Sequence, residues 1–104
     1  MNYKKIFLLI SLSALALALT ACGGGETYKI GLLSPQTGPI AVYAPGFQDA
    51  ANVAIAELND NEDGNVFELV IQDSGCDGTQ AATATQTLVD SGVVGIVGAA
   101  CSGA

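Results

Sequence analysis

The chain has 104 residues, a formal net charge of −7, three cysteines, and neither histidine nor tryptophan. Lys29 is the only cation beyond residue 5 and faces ten acidic residues. A nucleic-acid partner is therefore excluded, because phosphate backbones are bound by Lys and Arg. With no histidine, no G-x-S-x-G elbow and no metal-ligand cluster, no serine or cysteine has a visible base. The chain reads as neither an enzyme nor a cofactor carrier.

Lys4 and Lys5 precede a continuous apolar run, residues 6–19, which ends in small residues. A basic start, an apolar middle and a small-residue end make residues 1–21 a secretory signal peptide. A permanent membrane helix needs about 20 apolar residues, and this run stops short at Gly23-Gly24-Gly25. Leu19-Thr20-Ala21-Cys22 resembles the bacterial lipobox, whose cysteine is acylated and becomes the mature N-terminus. Leu19 is too large for the −3 position of an ordinary small-residue cleavage site. An acylated Cys22 would tether the chain to a bacterial membrane. Residues 22–26 then form a glycine leash. Removal of Lys4 and Lys5 takes the net charge from −7 to −9.

Residues 27–33 (TYKIGLL) form the first predicted strand and end at the turn signal Ser34-Pro35. A loop with three prolines follows, and Pro45 suits the first turn of a helix. From Phe47 the apolar residues Ala50, Ala51, Ala54, Ile55 and Leu58 recur at helical spacing. Asp49 is expected in the first turn, at the favourable end of the helix dipole. Asn59, Asn61, Asp63 and Gly64 match the first half of a calcium loop, but the twelfth position is Val70 instead of a bidentate Glu. That segment reads as a solvated turn, with no metal.

Residues 66–72 (VFELVIQ) are rich in β-branched and aromatic side chains and form the second strand. Asp77 followed by Gln80 reads as a capping box with Asp in the lead position. The helix it opens runs from about Gly78 to Asp90, has a small Ala/Thr face, and ends at Gly92 in the C′ position. Residues 93–97 (VVGIV) form a third strand. They lack alternation, as expected of a strand covered on both faces. A further helix is expected to open just after Cys101, with Ser102 at its start.

With Cys22 acylated, Cys76 and Cys101 are the one pair left in an oxidising compartment. Either they are bridged or they are two free thiols. A bridge would close a loop worth about 3.5 kcal/mol in the chain-entropy model. The β-α-β-α-β order with short connections predicts an α/β fold with a parallel sheet and right-handed crossovers. In such sheets ligands bind beyond the carboxyl ends of the strands. The candidate polar groups there are Ser34, Gln36, Thr37, Tyr43, Asp73 and Ser102. An Asx turn closing the second strand is the simpler reading of Asp73.

Three features then stand in order: Thr37-Gly38-Pro39 with Tyr43 four residues after the proline, Cys76-Asp77 opening the second helix, and Gly98-x-x-Cys101-Ser102 after the third strand. Together they resemble the start of the leucine/isoleucine/valine-binding proteins, type I periplasmic solute receptors of ABC importers. The resemblance covers nearly all of residues 27–104. It implies a doubly wound sheet of order 2-1-3, forming part of the first of two lobes that close on a ligand. It implies the Cys76–Cys101 bridge. Order 2-1-3 puts the cysteine-bearing strands about 9.6 Å apart, while bridged Cα atoms lie within about 6.8 Å. Their loops must therefore lean over the end of the central strand, helped by Gly75 and Gly98.

The resemblance also implies that Ser102 helps to hold an amino-acid carboxylate and that Tyr43 lies against the ligand. On the residues alone, Ser102 is equally an N-cap and Tyr43 equally an aromatic packed at a loop edge. The implied ligand is an amino acid of branched-chain type or a related small carboxylate or amide. The implied partners are that ligand, an ABC permease and, through the lipid anchor, the membrane of the cell envelope or periplasm. A regulatory or cell-envelope lipoprotein with the same fold is the alternative. The rest of the family's first lobe, its hinge and its second lobe do not appear in the chain, which is expected to be an N-terminal fragment.

Overall fold

The computed structural model describes Tyr3, residues 24–60 and residues 63–104. The predicted signal peptide (Tyr3 apart), the lipobox with Cys22, and Gly23 lie outside the described residues, as do Asn61 and Glu62. The elements are β1 (Thr27–Ser34), a 3-10 turn (Ala41–Tyr43), α1 (Ala44–Asn59), β2 (Val66–Asp73), α2 (Gly78–Asp90) and β3 (Val93–Val97). The strands form one parallel sheet in the order β2-β1-β3. β1 and β2 pair without interruption from Thr27 opposite Val66 to Ser34 opposite Asp73. The β1–β3 ladder is irregular between Lys29 and Ile30.

Side chains alternate across a strand, and the two helices use the two faces so created. Leu33 of β1 joins Ala81, Ala84 and Leu88 of α2 in the core, with Val70, Val93, Ile96 and Ala99 packed around them. Leu88 is fully buried. It fits because position 31 is glycine: a Cβ there would stand 3.1 Å from Leu88 and 3.2 Å from Ile96. On the other face Ile30, Leu32 and Leu69 meet Ala51, Ala54, Ile55 and Leu58 of α1 around an apolar cavity of about 260 Å³. The helical stripe read from the sequence therefore faces the sheet, but it is only half covered: Ala51 and Ile55 are partly buried, while Phe47, Ala50, Ala54 and Leu58 remain exposed.

The termini of α2 follow local chemistry. Asp77 accepts from the Gln80 N–H at 2.8 Å and caps the helix, an arrangement worth about 1 kcal/mol. Only this half of the capping box forms, because the Gln80 side chain turns to Asp73 instead. Gly92 takes φ +80° after the last turn, where a residue without Cβ carries no steric penalty. Lys29 donates to the Ser91 carbonyl at 3.2 Å, which puts a cation at the negative end of the helix dipole.

Several expectations are corrected. Pro45 does lie in the first turn of α1, but the helix begins at Ala44, so Asp49 falls beyond that turn. β3 is not covered on both faces: among the described residues Val93 and Ile96 pack on the core while Val94 and Val97 are exposed. Gly25 is not free leash, because it lies so close to Gly64 that a Cβ would collide with the Gly64 carbonyl. Glu26 is bonded there to Asn65 and Val66. The amide of Asn59 pairs with both the N–H and the carbonyl of Phe67, at 2.6 and 2.9 Å. It occupies the open edge of β2, where an unpaired strand invites further pairing. No helix among the described residues is long and apolar enough to cross a membrane.

Candidate functional site

All three strands run the same way, so their carboxyl ends share one edge of the sheet. Three segments leave it: the loop from Pro35 into the 3-10 turn, the short link of residues 74–77, and residues 98–104. These segments hold four of the six candidate polar residues, Gln36, Thr37, Tyr43 and Ser102; the other two, Ser34 and Asp73, are the last residues of β1 and β2.

The backbone crowds at this edge. Gly38 has φ +89° and lies against the Gly75 carbonyl, where a Cβ would collide. Gly98, at φ +117°, is pressed in the same way onto the Leu33 carbonyl. The loops after β2 and β3 thus lean over the end of β1. The Cα atoms of Cys76 and Cys101 come within 5.3 Å and their sulfurs are joined, inside the range a disulfide spans. Gly75 and Cys76 are both left-handed, at φ +57° and +55°. For Cys76, which has a Cβ, that conformation costs about 1 kcal/mol.

Asp73 is the most heavily bonded side chain of the edge. Its Oδ1 accepts from the Gly75 N–H at 2.8 Å and the Thr37 N–H at 3.1 Å. Its Oδ2 accepts from the Thr37 hydroxyl at 2.6 Å and the Gln80 amide at 3.0 Å. The bond to Gly75 is the Asx turn expected from the sequence. The Thr37 hydroxyl, foremost, then the backbone N–H groups of Gly75, Thr37 and Gln36, hold the carboxyl down to about 2, against a partial burial that pulls it up. Donors that favour the charged form lower a carboxyl pKa in this way.

The remaining candidates differ in access. Ser34 is buried; its carbonyl accepts from the N–H groups of Gln36 and Ser74, both at 2.9 Å, and its hydroxyl has no partner among the described residues. Ser74 is buried in the same way. Neither reaches the surface of the edge. Gln36 is exposed. Tyr43 closes the 3-10 turn, precedes α1 and is 60% exposed. Ser102 is exposed in a turn closed by the Ala104 N–H on the Cys101 carbonyl at 3.1 Å, and this turn stands where a helix start was expected. The Gly103 carbonyl of the same turn approaches Gly78 at the start of α2, 2.9 Å from where a Cβ would be.

Sequence reading alone did not find the fastening of Thr37 to Asp73 or the seating of Gly38 on Gly75. Asp followed two residues later by Gly signals an Asx turn, but nothing local points to a partner 36 residues away.

A model of the periplasmic binding protein family matches residues 27–104. The chain is 38% identical over 79 residues to the leucine-, isoleucine-, valine-, threonine- and alanine-binding protein of Pseudomonas aeruginosa, covering 74% of this chain and 21% of that one. It is 31% identical over 104 residues to the Leu/Ile/Val-binding protein of Escherichia coli K12, covering 98% of this chain and 28% of that one. The corresponding protein of Citrobacter freundii is 29% identical over the same length. The chain thus spans between a fifth and three tenths of the length of these relatives. With its sheet order and the loops at its carboxyl edge matching the expected first lobe, the chain belongs to the periplasmic binding protein family.

Proposed function

We propose that this chain forms one wall of the ligand cleft of an extracytoplasmic solute receptor. It is exported by residues 1–21, anchored to a bacterial membrane through an acylated Cys22, and hands its ligand to an ABC permease. The ligand is an amino acid of branched-chain type or a related small carboxylate or amide. Family membership and the names of the relatives support this reading. The observation that carries it is the exposure of Ser102 and Tyr43 at the carboxyl edge of the sheet, on segments tied to residues 73–76.

The chemistry fits a small zwitterion. The one described cation, Lys29, is taken up at the far end of α2, so a ligand carboxylate would be held by neutral donors, the Ser102 hydroxyl first. A hydrogen bond to a charged group is worth about 1.5–3 kcal/mol. The exposed ring of Tyr43 offers an apolar surface for the aliphatic part of the ligand.

Protein expressed from the complete reading frame is screened by thermal shift with L-leucine, L-isoleucine, L-valine and small carboxylates. At 100 times its dissociation constant a ligand adds about 2.7 kcal/mol of stability. At least one compound is expected to stabilise the protein, and Ser102→Ala is expected to weaken it. No stabilisation by any of them, or unchanged affinity in Ser102→Ala, contradicts the carboxylate role. Incorporation of labelled palmitate that is lost in Cys22→Ser tests the anchor.

A further inference from the structure

We propose that Asp73 is a positioning residue for this ligand wall: it sets the loop carrying Tyr43 against the link carrying Cys76, and so against Ser102. The proposal rests on the reading of Tyr43 and Ser102 as ligand contacts. The Asx turn alone would need only one oxygen of Asp73, bonded to Gly75. The structure uses both oxygens, for four donors drawn from the loop after β1, the link after β2, and α2. A carboxylate offers about four lone-pair positions, so Asp73 has none left for a ligand ammonium. It acts on its surroundings instead.

From Thr37 the constraint passes directly to Tyr43. Gly38 is seated on the Gly75 carbonyl. The Ala41 N–H bonds the Gly38 carbonyl at 3.2 Å and the Tyr43 N–H bonds the Ile40 carbonyl at 3.0 Å, giving two overlapping turns. Pro39, inside the first of them, has a fixed φ. In the other direction Gly75 leads to Cys76, whose sulfur is joined to Cys101, the neighbour of Ser102. Asp73 is therefore where the two halves of the wall are fastened to each other. Without it, Tyr43 and Ser102 remain in the chain but lose a common reference.

Calorimetric titration of L-leucine, and of L-isoleucine, L-valine and the small carboxylates where L-leucine does not bind the parent, into protein from the complete reading frame tests this with Asp73→Ala, Thr37→Val, their double variant and Thr37→Ser. Asp73→Ala and Thr37→Val are each expected to weaken binding about tenfold. The double variant should be no worse than the weaker single one, because both break the same fastening. Thr37→Ser keeps the hydroxyl and should bind like the parent. Leu88→Ala, which destabilises the core away from this edge, should leave the affinity of folded protein unchanged. If Asp73→Ala fails to fold, Thr37→Val against Thr37→Ser decides the question by itself. Parent-like affinity in Asp73→Ala or Thr37→Val, while Ser102→Ala still loses binding, overturns the positioning role and spares the cleft. Parent-like affinity in both Ser102→Ala and Tyr43→Ala, or a parent protein that binds none of L-leucine, L-isoleucine, L-valine and the small carboxylates, overturns both.

Discussion

Thr37 is fastened to Asp73 twice: its N–H donates to Oδ1 at 3.1 Å and its hydroxyl to Oδ2 at 2.6 Å. The pair joins the first and second loops of the carboxyl edge across 36 positions of sequence. Its consequences extend from acid stability to the tolerance of neighbouring glycines.

The Asp73 carboxyl titrates near 2 in the folded chain, against about 3.9 in an unfolded one. Its contribution is complete above about pH 4 and is lost as the pH falls towards 2. Between about pH 5 and 2.5 the parent is expected to lose about 1 kcal/mol more stability than Asp73→Asn, a figure reduced for the partial exposure of the site. Urea unfolding at the two pH values measures it; parallel losses in both proteins contradict it.

Two glycines eight positions apart should respond oppositely to alanine. Gly38 is left-handed, and a Cβ there meets the Gly75 carbonyl, so Gly38→Ala is expected to cost about 1–3 kcal/mol. Gly46 lies in α1 with open space around a Cβ, so Gly46→Ala should gain about 0.5 kcal/mol. Denaturant midpoints of the two variants provide the check.

Leu88 is fully buried against Gly31 and Ile96. Leu88→Ala is expected to cost about 2–5 kcal/mol, and Gly31→Ala about 1–3 kcal/mol through overpacking. The two changes should be less than additive, because the first vacates the volume the second needs. A double-mutant cycle that closes additively would show that the two residues do not compete for space.

Replacing Cys76 and Cys101 together by serine opens a loop spanning 25 positions. The expected loss is about 3.5 kcal/mol in the chain-entropy model. Thermal unfolding of the double variant, compared with the parent before and after reduction, measures it. Reduction that changes the parent but not the variant assigns the effect to this bridge.

The sequence by itself determined what depends on neighbours a few residues apart. The limits of α2 and β3, the cap at Asp77, the left-handed Gly92 and the apolar stripe of α1 all follow from propensity, capping and periodicity, which act within a turn or two of chain. The motifs around Tyr43, Cys76 and Ser102 pointed to the family because they are short and ordered. Only the tertiary structure decided which candidate side chains remain open at the edge. Ser34 is buried, Asp73 is saturated by four donors, and Tyr43 and Ser102 face solvent. It also diverted Gln80 from its own helix cap to Asp73 and left one face of β3 uncovered among the described residues. Hydrogen bonds and burial of this kind depend on how crossovers bring distant strand ends to one edge, and no local pattern encodes that distance.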